Sequence, residues 1–216
     1  MKQFLIGSAI VFAVTLCVSR ITYAQGTTYL SSLQGGTSGF VTVASDYWLA
    51  LSFETGTNAG GYLLNSVQLK MFQASSNASG FAVTLYASTR TNVFGKPIND
   101  FGSLVGSDNP STHGIYTYTA SGVTLGSSTY YFIVLTAATA SATGVYQLDA
   151  GGSPNSIGGW DTGFNYYSAD NGASWSIFQP GGQFAINATA IPEPSASWFL
   201  LLGFGVVIYA RRTFHR

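Results

Sequence analysis

Charge is the scarcest property of this chain. Of 216 residues only 16 are Asp, Glu, Lys or Arg, or 7%, where a soluble domain ordinarily carries about 25%. Helices kept in solution by Glu–Lys pairs are excluded, because the side chains are missing. The formal net charge is zero and no basic run interrupts the body, so the electrostatic footprint of a nucleic-acid-binding protein is absent. Low charge here does not mean disorder, since 46% of the residues are apolar and 15% aromatic, the reverse of a disordered composition. Ser, Thr, Asn, Gln and 26 Gly keep the chain hydrated. That is a composition of turns and strands, in a length that supports one domain with its own core.

The usual reagents of catalysis are equally scarce. The single cysteine, Cys17, lies in the N-terminal apolar run, so the body must hold together by core burial without disulfides. Between residues 25 and 190 the only histidine is His113, in Ser111-Thr112-His113-Gly114, and no G-x-S-x-G elbow occurs. A nucleophilic triad would have only His113, a turn histidine beside Gly114, for its base, and it lacks the nucleophile turn. One His and no Cys leave zinc without a ligand set. No D-x-D-x-D-G loop is present, so calcium would fall to a pair such as Asp149 and Asp161. Glycoside hydrolysis needs two carboxylates about 5 to 10 Å apart. The body offers Asp46, Glu54, Asp100, Asp108, Asp149, Asp161 and Asp170, scattered near turns. The expectation is a protein that is not an enzyme, with no catalytic residue, metal or cofactor.

The two ends read as addresses. Residues 1–24 have the form of a signal peptide: Lys2, an apolar run from Phe4 to Val18, and Thr22-Tyr23-Ala24 with a small residue at the cut. An uncleaved anchor is the alternative, and the run is short for a spanning helix. At the other end, Ile191-Pro192-Glu193-Pro194 precedes a Ser/Ala spacer, an apolar segment over 196–210, and Arg211 and Arg212 with Arg216 last. The prolines stop a preceding strand and hold the tripeptide extended. As a helix, Ser195 to Ala210 spans roughly 24 Å at 1.5 Å per residue, marginally short for a hydrocarbon core of ~30 Å. The arginines after it belong on the cytoplasmic side.

This tail resembles the PEP-CTERM sorting signal of exopolysaccharide-producing Gram-negative bacteria, through Pro192, Glu193, Pro194, the apolar segment and the basic end in that order. The resemblance implies an exosortase-type transpeptidase as partner and passage through an inner-membrane-anchored precursor. A cell-surface or extracellular-matrix destination, with exopolysaccharide as a further associate, follows from the same resemblance. A tail anchor that is never cut is the alternative.

The body, residues 25–190, reads as short strands. Val67, Leu69 and Met71 alternate with Gln68 and Lys70; Phe81, Val83 and Leu85 alternate with Ala82 and Thr84; Tyr116 and Tyr118 alternate with threonines. Tyr130 to Leu135 is apolar throughout, as in a strand covered on both faces. Trp48–Phe53, 145–148, 164–167, 175–178 and 184–188 complete nine or ten strands, predicting an all-β fold, an antiparallel β-sandwich or jelly-roll-like single domain. Several stretches resemble the choice-of-anchor R domain found upstream of such tails: Trp48 to Phe53, Leu64 to Leu69, Phe81 to Tyr86, Gly95-Lys96-Pro97 and Gly126 to Tyr131. That family is defined by architecture and anchoring, and the resemblance carries over no catalytic residue.

Ser168-Ala169-Asp170-Asn171-Gly172-Ala173-Ser174-Trp175 fits the Asp-box pattern S-x-D-x-G-x-[ST]-W known from sialidases. One box, and a body whose only arginine is Arg90, leave no arginine triad. The motif is read as a structural hairpin built on Ser168, Asp170, Gly172 and Trp175. One binding candidate remains: Trp160, Phe164, Tyr166, Tyr167 and Trp175, interleaved with Asp161, Asn165, Asp170 and Asn171. Aromatic faces beside amides and carboxylates suit a carbohydrate, with Trp160, Tyr166 and Tyr167 as its contacts. Burial of the same aromatics in a core is the alternative. The expected function is an exported, non-enzymatic surface or matrix protein. Carbohydrate binding is the alternative, and glycan hydrolysis a minor one.

Overall fold

The structure, a computed structural model, describes residues 26–88 and 95–193. Residues 1–24, read above as a signal peptide ending at Ala24, and Arg90, Pro194, the 196–210 segment, Arg211 and Arg212 lie outside the described residues. In chain order the strands are β1 Thr27–Ser31, β2 Gly39–Val43, β3 Trp48–Glu54, β4 Tyr62–Ala74, β5 Ala82–Ser88, β6 Pro97–Ser103, β7 Gly114–Thr119 and β8 Thr124–Leu125. There follow β9 Tyr130–Thr136, β10 Tyr146–Ala150, β11 Asn155–Ser156, β12 Asp161–Thr162, β13 Asn165–Ser168, β14 Ser176–Phe178 and β15 Phe184–Ala190. No helix occurs among the described residues.

These strands form two antiparallel sheets packed face to face, the layering of a β-sandwich. One runs β11-β1-β15-β4-β10-β2, with β7 and β8 also paired to β4; the other runs β14-β13-β3-β9-β5-β6, with β12 paired to β3. The long strand β4 organises the first sheet. Val67 lies opposite Ile186 of β15 on one edge and Tyr118 of β7 on the other. In the second sheet β9 is held between β3 and β5, with Ile133 opposite both Leu51 and Leu85.

The main core fills the space between the sheets. Val67, Leu69 and Met71 of β4 meet Leu49, Leu51 and Phe53 of β3 and Ile133 and Leu135 of β9 there. The alternation of β4 sends Gln68, Lys70 and Phe72 to the outer face of the first sheet, as a period of two requires. A second cluster lies on the other side of β3 and β9, where Ala50, Phe132 and Val134 pack against Tyr166 and Trp175. The continuous apolar run of β9 is thus covered on both faces.

Candidate functional site

The aromatic segment 160–175 does not form one surface. Trp160 is 2% exposed in the main core. Its ring stacks on Tyr29 at 5.1 Å and on Phe53 at 5.8 Å, with Tyr62 edge-on at 5.0 Å. No face of the indole is open to a sugar, so the assignment of Trp160 as a carbohydrate contact is corrected: it is a core residue. Tyr166 is also buried, edge-on to Phe132 at 5.7 Å on the outer side of the second sheet, and is likewise withdrawn as a contact. Successive residues of a strand point to opposite faces, so Tyr167 goes the other way and stays half-buried.

Tyr167 is joined by residues that are distant in sequence. It stacks on Tyr47 at 5.1 Å, nearly parallel, and meets Phe178 edge-on at 6.3 Å. Beside them opens a groove of about 360 Å³ lined by Phe40, Val41, Thr42, Tyr47, Ser141 and Phe178. It joins β2 of the first sheet to β14 of the second. Phe40, 52% exposed, stacks on Phe72 at 5.7 Å across the outer face of the first sheet. Asp46 lies next to the groove, its two carboxylate oxygens accepting hydrogen bonds from the Ser141 amide and hydroxyl at 2.7 Å each. Those bonds hold the Asp46 carboxyl below the ordinary carboxylate range. Phe40, Tyr47 and Phe178 went unmarked in the sequence because they meet only through the pairing of distant strands.

The Asp-box segment closes the β13–β14 hairpin by a dense local network. The Ser168 hydroxyl donates to Asp170 Oδ1 at 2.7 Å and accepts from the Gly172 amide at 2.8 Å. The Ser174 hydroxyl and amide both donate to the Asp170 carboxylate, at 2.6 and 2.8 Å. The hydroxyls of Ser174 and then Ser168, with the Ser174 amide, pull the Asp170 pKa down to about 2. Asn171 and Gly172 both take positive φ, 56° and 85°. A Cβ at Gly172 would lie 3.0 Å from the Trp48 ring and stand at positive φ, so a larger residue there strains the turn. Trp175 then lies over β3 and β9. A second, larger cleft of about 500 Å³ separates this turn from Lys96, Pro97 and Ile98, with Trp48 and Tyr86 in its wall.

The acids separate in the same way. Asp149 is 1% exposed on β10. Its Oδ2 receives Lys70 Nζ at 3.2 Å, Thr37 Oγ1 at 3.2 Å and His113 Nε2 at 3.4 Å. Lys70 also donates to Gln183 Oε1 at 3.2 Å. Asp161 belongs to β12 in the other sheet, so a calcium pair of Asp149 and Asp161 is not assembled, and Asp149 already serves a cation. Among the described residues no group of three or more His, Cys, Asp or Glu converges on a metal position. Two of the candidate acids, Glu54 and Asp161, are cross-strand neighbours. Neither lines any of the three principal clefts. Compared with known proteins, the chain matches no family model, no curated protein and no solved structure.

Proposed function

We propose that this chain is an exported, non-enzymatic surface or matrix protein of a Gram-negative envelope, sorted through its C-terminal signal by an exosortase-type transpeptidase. Residues 25–190 form the exported part, with jelly-roll-like connectivity, and 191–216 the sorting signal. The observation that carries the reading is the ordered series of Pro192-Glu193-Pro194, apolar segment and arginines. The exit of the chain from its last strand supports it. Ile191 is tied at both ends, its amide donating to Gly61 O at 3.0 Å and its carbonyl accepting from Asn58 Nδ2 at 3.0 Å. Pro192 and Glu193 then stand exposed. A cut beyond Ile191 leaves every strand intact.

The test replaces Pro192, Glu193 and Pro194 together by alanine and follows the protein in fractionated producer cells. The substituted chain is expected to stay membrane-held and uncut while the natural one is processed; equal processing of both would overturn the sorting assignment. A second reading, carbohydrate binding, is favoured by a specific observation. Tyr167 shares one surface with Tyr47 and Phe178 beside the exposed Phe40.

A further inference from the structure

We infer that the groove between β2 and β14 binds an uncharged polysaccharide chain, with Phe40 and Tyr47 as its principal contacts. The inference rests on the carbohydrate-binding reading and assigns it a site and a ligand class. Two ring pairs flank the groove, Phe40 on Phe72 at 5.7 Å and Tyr47 on Tyr167 at 5.1 Å. An exposed aromatic on a sheet face otherwise costs solubility without adding to the core, and clustered exposed apolar surface marks a binding site. Ring stacking fixes the orientation of these side chains before any ligand arrives, so little freedom is lost on binding.

The chemistry of the lining selects the occupant. An aromatic face is electronegative and attracts the polarised C–H groups on the apolar face of a sugar ring. The polar residues Thr42 and Ser141 line the groove among Phe40, Val41, Tyr47 and Phe178, the mixture of apolar wall and few polar groups typical of ligand sites. No lining residue carries a charge. The adjacent carboxylate of Asp46 is held ionised by Ser141, so an anionic polymer meets repulsion with no cation in the lining to offset it. The charge pattern therefore favours a neutral chain over a uronate-rich one.

The test uses the full-length protein in detergent, run by affinity electrophoresis through gels containing hydroxyethylcellulose, a soluble β-glucan or alginate. Retardation by at least one neutral polymer and none by alginate is expected. Phe40→Ala and Tyr47→Ala should each weaken that retardation by about tenfold or more, with thermal unfolding midpoints near the natural one. Val105→Ala, an exposed residue outside the groove, should leave it unchanged. If the natural protein binds a neutral polymer and both groove variants bind it equally well, the site is wrong while carbohydrate binding stands. If the natural protein is retarded by none of the three, both are overturned. Preference for alginate overturns the neutral ligand, and a concentration-dependent dimer abolished by Phe40→Ala identifies a second copy of the chain as the occupant instead.

Discussion

Strands β4 and β9 sit at the centres of their sheets, yet one alternates apolar and polar residues and the other is apolar throughout. The difference lies in what covers their outer faces. β4 turns Gln68 and Lys70 outward, where Gln68 donates to the Thr117 hydroxyl and Lys70 pairs with Asp149. β9 turns Phe132 and Val134 outward, and the Asp-box hairpin brings Tyr166 and Trp175 down upon them. A strand's periodicity thus reports how many of its faces are covered, and an Asp-box turn here serves to bury the second face of a sheet. The aromatic cluster divides along the same boundary: Trp160 in the interior, Tyr166 and Trp175 as the cover, Tyr167 and Phe178 at the rim.

The contrast can be broken first at the interior. Trp160→Ala should cost about 3–5 kcal/mol, read as a fall in the urea midpoint, because three aromatic neighbours lose their common partner. Trp160→Phe should lose less, since the indole N–H is buried without a partner and its removal leaves nothing unsatisfied. A loss as large as that of the alanine variant would show that ring size dominates.

On the outer face of the first sheet, Lys70→Ala should cost about 3 kcal/mol, because it leaves Asp149 buried with no lysine. Lys70→Met combined with Asp149→Leu should recover most of that loss, as a matched apolar pair of similar size does. If the double variant is as unstable as the single one, the pair contributes through its geometry and not merely by mutual neutralisation.

On the covered face of the second sheet, Ser168→Ala should cost about 1–2 kcal/mol, since the buried hydroxyl serves Gly172 and Asp170 together. The neighbouring Asp170 contributes a pH dependence. Its folded pKa of about 2 lies below the ordinary value of about 3.9. Its contribution is therefore complete above about pH 4 and is lost as pH falls through about 2. Asp170→Asn should flatten that part of the acid-stability profile, checked by urea unfolding at intervals from pH 5 to 2; an unchanged slope would remove Asp170 from the account.

Much of this was legible in the residues. Alternation at Val67–Met71 and the unbroken run at Tyr130–Leu135 distinguished a sheet with one wet face from a strand covered twice, and all-β content followed from glycine with few charges. Strands β1, β2 and β6, and the two-residue strands β8, β11 and β12, lie outside the strands read from the sequence. Thr27–Ser31 and Pro97–Ser103 carry no clean period, and tertiary pairing makes them strands. Gly39–Val43 does carry strand-forming residues in Phe40, Val41, Thr42 and Val43, but as one run of five residues it is short. The candidate site was legible only at Tyr167. Sequence proximity suggested Trp160 and Tyr166 as its companions, whereas Tyr47 and Phe178 reach it through the β3–β13 and β13–β14 pairings. Proximity along a strand says nothing about sharing a face, and here it joined residues that the pleat separates.

The central claim is that residues 25–190 are an exported body delivered by a removable tail. It is tested most directly by the intact mass of the protein recovered from the surface or medium of its producer. The account predicts a mature chain starting at Gln25 and ending within a few residues of Pro192-Glu193-Pro194. A mass that retains the 196–210 segment and the terminal arginines would contradict it.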